Sequence, residues 1–273
     1  MSKELAVQTS EAFDLATLTP EQQALYTGQQ DNDFKASDIK YGWLGIAQAL
    51  TPKAIKTKDE YVPGLEPGMF YHSLDNTIYG NKLVVVYQKY FPSYTFNEPD
   101  GKKKFIGNLS EDDFESKKAS GEITFNKKGA NGWKQSSGFY HGPTGNLVKK
   151  TWNFMVALPD HPEAGVLRLG LSVGGYKHIM NWISMINNTF VAPGKKANKY
   201  AVEWELTIVP ETNDDGDNWY TIGSGNTTTV RKVGMTRPEF ISQAKAGYDF
   251  FQGFTQAEVT AKDDDIKVDD VPF

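Results

Sequence analysis

Apolar and polar residues alternate most cleanly between Tyr200 and Ile208. Tyr200, Val202, Trp204, Leu206 and Ile208 fall on one face, and Glu203, Glu205 and Thr207 on the other. A period of two sends successive side chains to opposite sides of a sheet, so this segment predicts a half-buried β-strand. Leu147 to Leu158 reads the same way, with Val148, Trp152, Phe154 and Val156 inward, and Leu167, Leu169, Leu171 and Val173 predict the next strand. Lys82 to Tyr90 is rich in β-formers, and its extension Phe91 to Phe96 carries Pro92, which predicts a bend or an edge there. Shorter strands are predicted around Ile39–Leu50, over Met69–Leu74, and on both sides of Ser224-Gly225-Asn226.

Helical spacing appears twice. Gly174-Gly175 opens a helix with Ile179, Ile183, Ile186 and Phe190 in one stripe. A last helix is predicted from Thr236, with Glu239 as capping-box partner, a buried stripe of Phe240, Ala244, Tyr248 and Phe251, and a stop at Gly253. Residues 97–146 follow neither period and are read as a long excursion between strands. The resulting expectation is a mainly β fold with a few helices. It takes the form of an OB-like Greek-key barrel over 36–253, with an insertion near 97–146 and a C-terminal helix. A flexible acidic arm (1–35) precedes it and a disordered acidic tail (254–273) follows. A β-sandwich with two helices is the competing architecture.

Charge changes this picture once it is divided along the chain. The net charge is −5. Residues 1–35 hold two basic and six acidic side chains, and 254–273 hold the same numbers, which leaves the body with 25 basic against 22 acidic. Within it, 82–154 has twelve lysines against seven acids. An acidic average therefore hides a basic middle, and nucleic acid stays open as a partner. There is no cysteine, which removes disulfides, thiolate metal sites and a cysteine nucleophile. The start lacks the basic and apolar regions of a signal peptide, and no apolar run reaches the roughly 20 residues of a membrane span. A soluble cytoplasmic protein is expected, without a membrane partner.

Strands held without sequence preference need a basic groove and aromatic platforms, because every base has a stackable face. The candidates are Tyr87, Lys89, Tyr90, Phe91 and Tyr94, then Lys102, Lys103, Lys104 and Phe105, then Lys127, Lys128, Trp133 and Lys134, and finally Lys149 and Lys150. Trp133 stands among glycines and lysines and is read as a stacking ring. Trp152, Phe154 and Trp204 are read as core. With only three arginines, the composition favours backbone contact over base readout.

Catalytic patterns are absent. His72, His141, His161 and His178 are scattered, no phosphate-binding glycine motif or nucleophile elbow occurs, and Glu111–Glu115 reads as a solvated face more readily than as a metal site. No cofactor is expected, and no enzyme.

The chain closes on DDDIKVDDVPF, residues 263–273. Such an acid-rich stretch cannot bury enough surface to offset its ordering entropy, while Phe273 offers one apolar anchor. The stretch resembles the acidic tip of bacterial single-stranded DNA-binding proteins and the tails of phage replication single-strand binders. The resemblance implies that Asp263, Asp264, Asp265, Asp269, Asp270, Val271, Pro272 and Phe273 recruit replication and repair proteins. It further implies a body that coats single-stranded DNA during replication or recombination, in a bacterial host's cytoplasm if the protein is phage-encoded. A strand-annealing factor, a metal-dependent nuclease and an adaptor without a nucleic-acid role are the alternatives, and oligomerisation stays open.

Overall fold

The computed structural model describes residues 42–97, 105–127, 130–132, 138–171, 176–212, 216, 218–222 and 230–253. The predicted N-terminal arm and the acidic tail lie outside the described residues.

Two long strands form the spine. β4 (Lys82–Asn97) and β8 (Leu147–Ala157) run antiparallel from Val86 opposite Ala157 to Asn97 opposite Leu147. At one end β12 (Val202–Thr212) pairs with β4, and β9 (Val166–Leu171) pairs with β8. The spatial order β12-β4-β8-β9 is that of a Greek key, in which a fourth strand returns to lie beside the first. β13 (Asn218–Ile222) and β14 (Val230–Met235) both pair with β12.

A smaller sheet of β1 (Leu44–Ile46), β2 (Phe70–His72) and β3 (Ile78–Gly80) bends the architecture round. Arg168 donates its backbone N–H to the Gly42 carbonyl at 2.9 Å, and Trp43 and Arg168 form a parallel bridge, so β1 continues from the edge of β9. On the far side the Gln48 amide acts as a surrogate strand. Its Nε2 donates to the Tyr220 carbonyl at 2.8 Å, and its Oε1 accepts from the Tyr220 N–H at 2.7 Å. The protein is mainly β, a curled antiparallel half-barrel with a C-terminal helix, as the periodicities predicted.

The concave interior holds Leu44, Phe70, Val85, Phe154, Leu169, Trp204, Leu206 and Ile222, all buried. α2 (Tyr176–Asn188) lies against it with Ile179, Trp182 and Ile186 inward, and the Trp182 ring stacks on Phe154 at 4.4 Å. The outer face of the spine is covered by α3 (Pro238–Gln252), whose Phe240 and Ala244 meet Val86 and Ala157, while Phe251 meets Phe91 and Met155. Arg237 fastens the start of that helix. Its Nε donates to the buried Glu203 carboxylate at 3.0 Å, and its Nη1 to Asp160 at 2.7 Å. Removing the guanidinium would leave a buried charge unpaired, the costly way to break such a pair.

Three local readings are corrected, and that of Pro92 is resolved in favour of an edge over a bend. β4 runs unbroken through Pro92, which pairs with Trp152 on β8. Among the described residues the opposite flank of β4 carries β12 up to Val86 and β5 (Phe105–Leu109) only from Tyr94, so the proline falls between them at a local edge, where the ladder tolerates it. The irregularity sits instead at Gln88, where the register with β8 shifts. Helix α3 has Arg237 at its N-cap with Pro238 in the first turn, and Thr236 instead donates its hydroxyl to the Tyr200 carbonyl at 2.9 Å. Phe190 does not extend the stripe of α2. It lies beyond the helix on β10 (Phe190–Ala192), which forms a hairpin with β11 (Lys195–Lys196).

The third correction concerns 97–146, which is more regular than its sequence suggests. It contributes β5 (Phe105–Leu109), α1 (Glu111–Ala119), β6 (Ile123–Asn126) and β7 (Gly138–His141). β5 lengthens the sheet beside β4, and β6 and β7 lengthen it beside β8. Together they close a second small core of Tyr94, Phe114, Ile123 and Val148.

Candidate nucleic-acid interface

The rings and lysines that interleave along β4 separate onto two faces, because neighbouring strand residues point opposite ways. Tyr87, Tyr90 and Tyr94 are brought to the concave face, together with Lys150 from β8, which is the direct partner of Tyr94. Lys89 and Phe91 turn to the outer face under α3, and Lys149 sits opposite Thr95 on that side. The register shift at Gln88 is what lets Tyr87 and Tyr90, three apart, share one face.

Burial then decides which of these can touch a base. Phe91 (3% exposed) and Tyr94 (2%) are core residues, and Tyr87 is nearly so at 8%. As stacking platforms all three are corrected. Phe91 is covered by Phe251, and Tyr94 stacks on Phe114 of α1 with centroids 4.0 Å apart. Lys89 is corrected too, since its Nζ donates to the Phe251 carbonyl at 2.7 Å and satisfies the C-terminal end of α3. Lys150 lies over the Tyr94 and Trp152 rings at 5.1 and 5.5 Å, with Glu111 at 3.9 Å. Phe105 is placed in β5 beside Asn97, Lys127 is exposed just past β6, and Lys102, Lys103, Lys104, Lys128, Trp133 and Lys134 lie outside the described residues.

A shallow cleft of about 70 Å³ is lined by Tyr87, Tyr90, Ile183, Ile186, Asn187 and Lys199. Lys199 reaches over the Tyr87 ring at 5.9 Å. Burial pushes the Tyr90 phenol up to about 12, with the negative charge of Glu111 adding to it. Burial raises Tyr87 further, helped by Tyr248. Both phenols therefore stay neutral and keep an O–H to donate. Beyond the small core, Phe125 is 59% exposed and meets Phe139 edge-on at 5.3 Å, an unpaid hydrophobic surface next to Lys127.

Two features escaped the sequence reading. The acids Glu111, Asp112 and Asp113 are the first turn of α1. Ser110 caps that helix by accepting from the Asp113 N–H at 3.0 Å, and Lys117 and Lys118 occupy the last turn. This charge order complements the helix dipole, and the spacing Ser110-x-x-Asp113 was the signal for it. The acid cluster is thus a helix start, and among the described residues no three His, Asp or Glu side chains converge as a metal site. The second feature is Lys199 with its neighbours. From Ala164 to Val202 the chain has five basic residues and no acidic one, a bias that shows only when the cations are counted over the whole stretch, because they are spread along it.

Among the described residues no helix is long and apolar enough to cross a membrane. No curated protein matches the sequence, and no solved structure matches it. A family model described as Pam3 phage gp34-like protein matches residues 10–257, and with nearly the whole chain covered, the protein belongs to that phage family.

Proposed function

We propose that this protein is a single-stranded DNA-binding protein of phage replication or recombination, built on an OB-type barrel. One observation carries the reading. The lysine-rich excursion 97–146 is the connection between the first and second strands of the Greek key, β4 and β8. In OB barrels that connection is one of the two loops that grip an oligonucleotide. Here it brings exposed Lys127 and Phe125, and in sequence it carries Lys102–Lys104, Lys128, Trp133 and Lys134. Lysines supply point charges for phosphates, and exposed rings supply stacking worth about 1–3 kcal/mol per base.

The test is a fluorescence titration with poly-dT. Tryptophan emission is expected to fall on binding, and Trp133→Phe is expected to remove most of that quenching. Trp152, Trp182 and Trp204 are buried and Trp43 and Trp219 half-buried, so Trp133 is expected to carry the larger share of the change. If poly-dT of any length leaves the emission and the sedimentation of the protein unchanged, the reading is wrong.

The acidic segment 263–273 has a second role in this reading. It docks partner proteins and competes with DNA for the basic surface. Deleting it is expected to tighten dT binding several-fold at low salt, with the gain vanishing at high salt, and to abolish capture of replication proteins. Equal affinity of the full and shortened chains across a salt series would rule the competition out.

A further inference from the structure

The cleft of Tyr87 and Tyr90 has a hairpin growing from its rim. Asn187, one wall of the cleft, is the penultimate residue of α2, and Lys199, another wall, follows shortly after β11. Between them the chain goes out along β10, turns at Pro193-Gly194 with Gly194 at φ 73°, and returns along β11. That positive φ is the left-handed conformation glycine adopts without strain. Ala197 donates its N–H to the Thr189 carbonyl at 2.8 Å, which clasps the base of the hairpin.

The side chains of this hairpin are laid out for contact. Phe190 is 48% exposed and Val191 45%, and Ala192, Lys195 and Lys196 are exposed as well. A two-stranded ribbon is marginal by itself, so exposed apolar residues on one are not there to stabilise it. In sequence the hairpin lies within the acid-free run from Ala164 to Val202, and the nearest acid recorded at the cleft is Glu111, beside Tyr90. An apolar protein partner would be met by rings without lysines, and a purely electrostatic one by lysines without rings. Rings beside lysines, continuous with a cleft holding two neutral phenols and Lys199, match the stacked bases and phosphates of a single strand.

We propose that the β10–β11 hairpin is a second contact for single-stranded nucleic acid. Phe190 stacks on a base, Lys195 and Lys196 hold phosphates, and the strand enters the cleft at Lys199 and Tyr90. This rests on the single-strand binding reading above and extends it to a surface outside the lysine-rich excursion. The chemistry is shared by DNA and RNA, since neither stacking nor a lysine contact reads the sugar.

The test compares the full-length protein with its Phe190→Ala and Lys195→Ala/Lys196→Ala variants, using anisotropy of labelled dT and U oligomers across a salt series. Phe190→Ala is expected to weaken binding about tenfold with the salt slope unchanged. The double lysine variant is expected to make the slope of log K against log salt less negative by about 1.4, two phosphates' worth. If both variants bind as the parent does with the parent's slope, the hairpin proposal is overturned while the general reading stands. If the parent itself binds neither oligomer, both fall. A readout independent of variant folding is photocrosslinking of iodouracil-substituted strands to the parent protein. The peptide containing Phe190 is expected among the products, and crosslinks confined to other peptides would overturn the proposal. Loss of equal size with dT and U fits the shared chemistry, whereas loss with U alone would assign the hairpin to RNA.

Discussion

Raising the salt from about 50 to about 200 mM is expected to weaken dT binding by roughly two to three orders of magnitude. Each phosphate neutralised on a single strand contributes about −0.7 to the slope of log K against log salt, so about six lysine contacts give a slope near −4. The candidate cations suffice for that number: Lys127 and Lys199 are described, and Lys102, Lys103, Lys104, Lys128 and Lys134 belong to the same excursion by sequence. A protein of net charge −5 would give the opposite expectation if its charge were evenly spread. The division into acidic ends and a basic middle is what makes the steep slope follow. Stacking contributes little to salt dependence, so affinity extrapolated to high salt separates the rings from the lysines. A slope near zero would mean that the lysines do not meet phosphates.

The fold was legible where one face of an element is buried and the other is wet. β8, β9 and α3 each keep one period and were found close to their true bounds, whereas β12 was found over its alternating part but runs on past Ile208 to Thr212. The excursion was harder because its elements are short and bury one or two side chains each. Helix α1 buries Phe114, and β6 buries Ile123, so no period has room to repeat. That small core in turn explains the misplaced rings. Tyr94 reads as exposed while 97–146 is treated as irregular, and it becomes core once Phe114 stacks on it. Phe91 and Lys89 were misread for a related reason, since α3 is distant in sequence and its docking on β4 leaves no local mark. Phe190 shows the reverse failure. It continues the spacing of Ile179, Ile183 and Ile186 by coincidence, and only Pro193-Gly194 hinted that a turn intervenes.

Replacing Trp182 with alanine is expected to cost about 3–5 kcal/mol of stability, read as a lowered midpoint in urea. The side chain is fully buried, stacks on Phe154, and is the largest group by which α2 is held to the half-barrel. Truncation removes that stacking together with the transfer of a large apolar surface, and the rigid sheet around it cannot collapse to fill the space. Trp182→Phe separates the two contributions. The indole Nε1 is buried without a hydrogen-bond partner, so a phenyl ring forfeits no bond and keeps most of the stacking. Its cost is expected to stay near 1 kcal/mol. The consequence for binding follows from position. α2 carries Ile183, Ile186 and Asn187 into the cleft and sets the root of the β10–β11 hairpin, so loosening it removes both surfaces at once. At a temperature where Trp182→Ala is still folded, it is expected to lose affinity for dT without a change in salt slope at the excursion's lysines. An alanine variant as stable as the parent would show that the helix does not close the core, and the cleft and hairpin would lose their support.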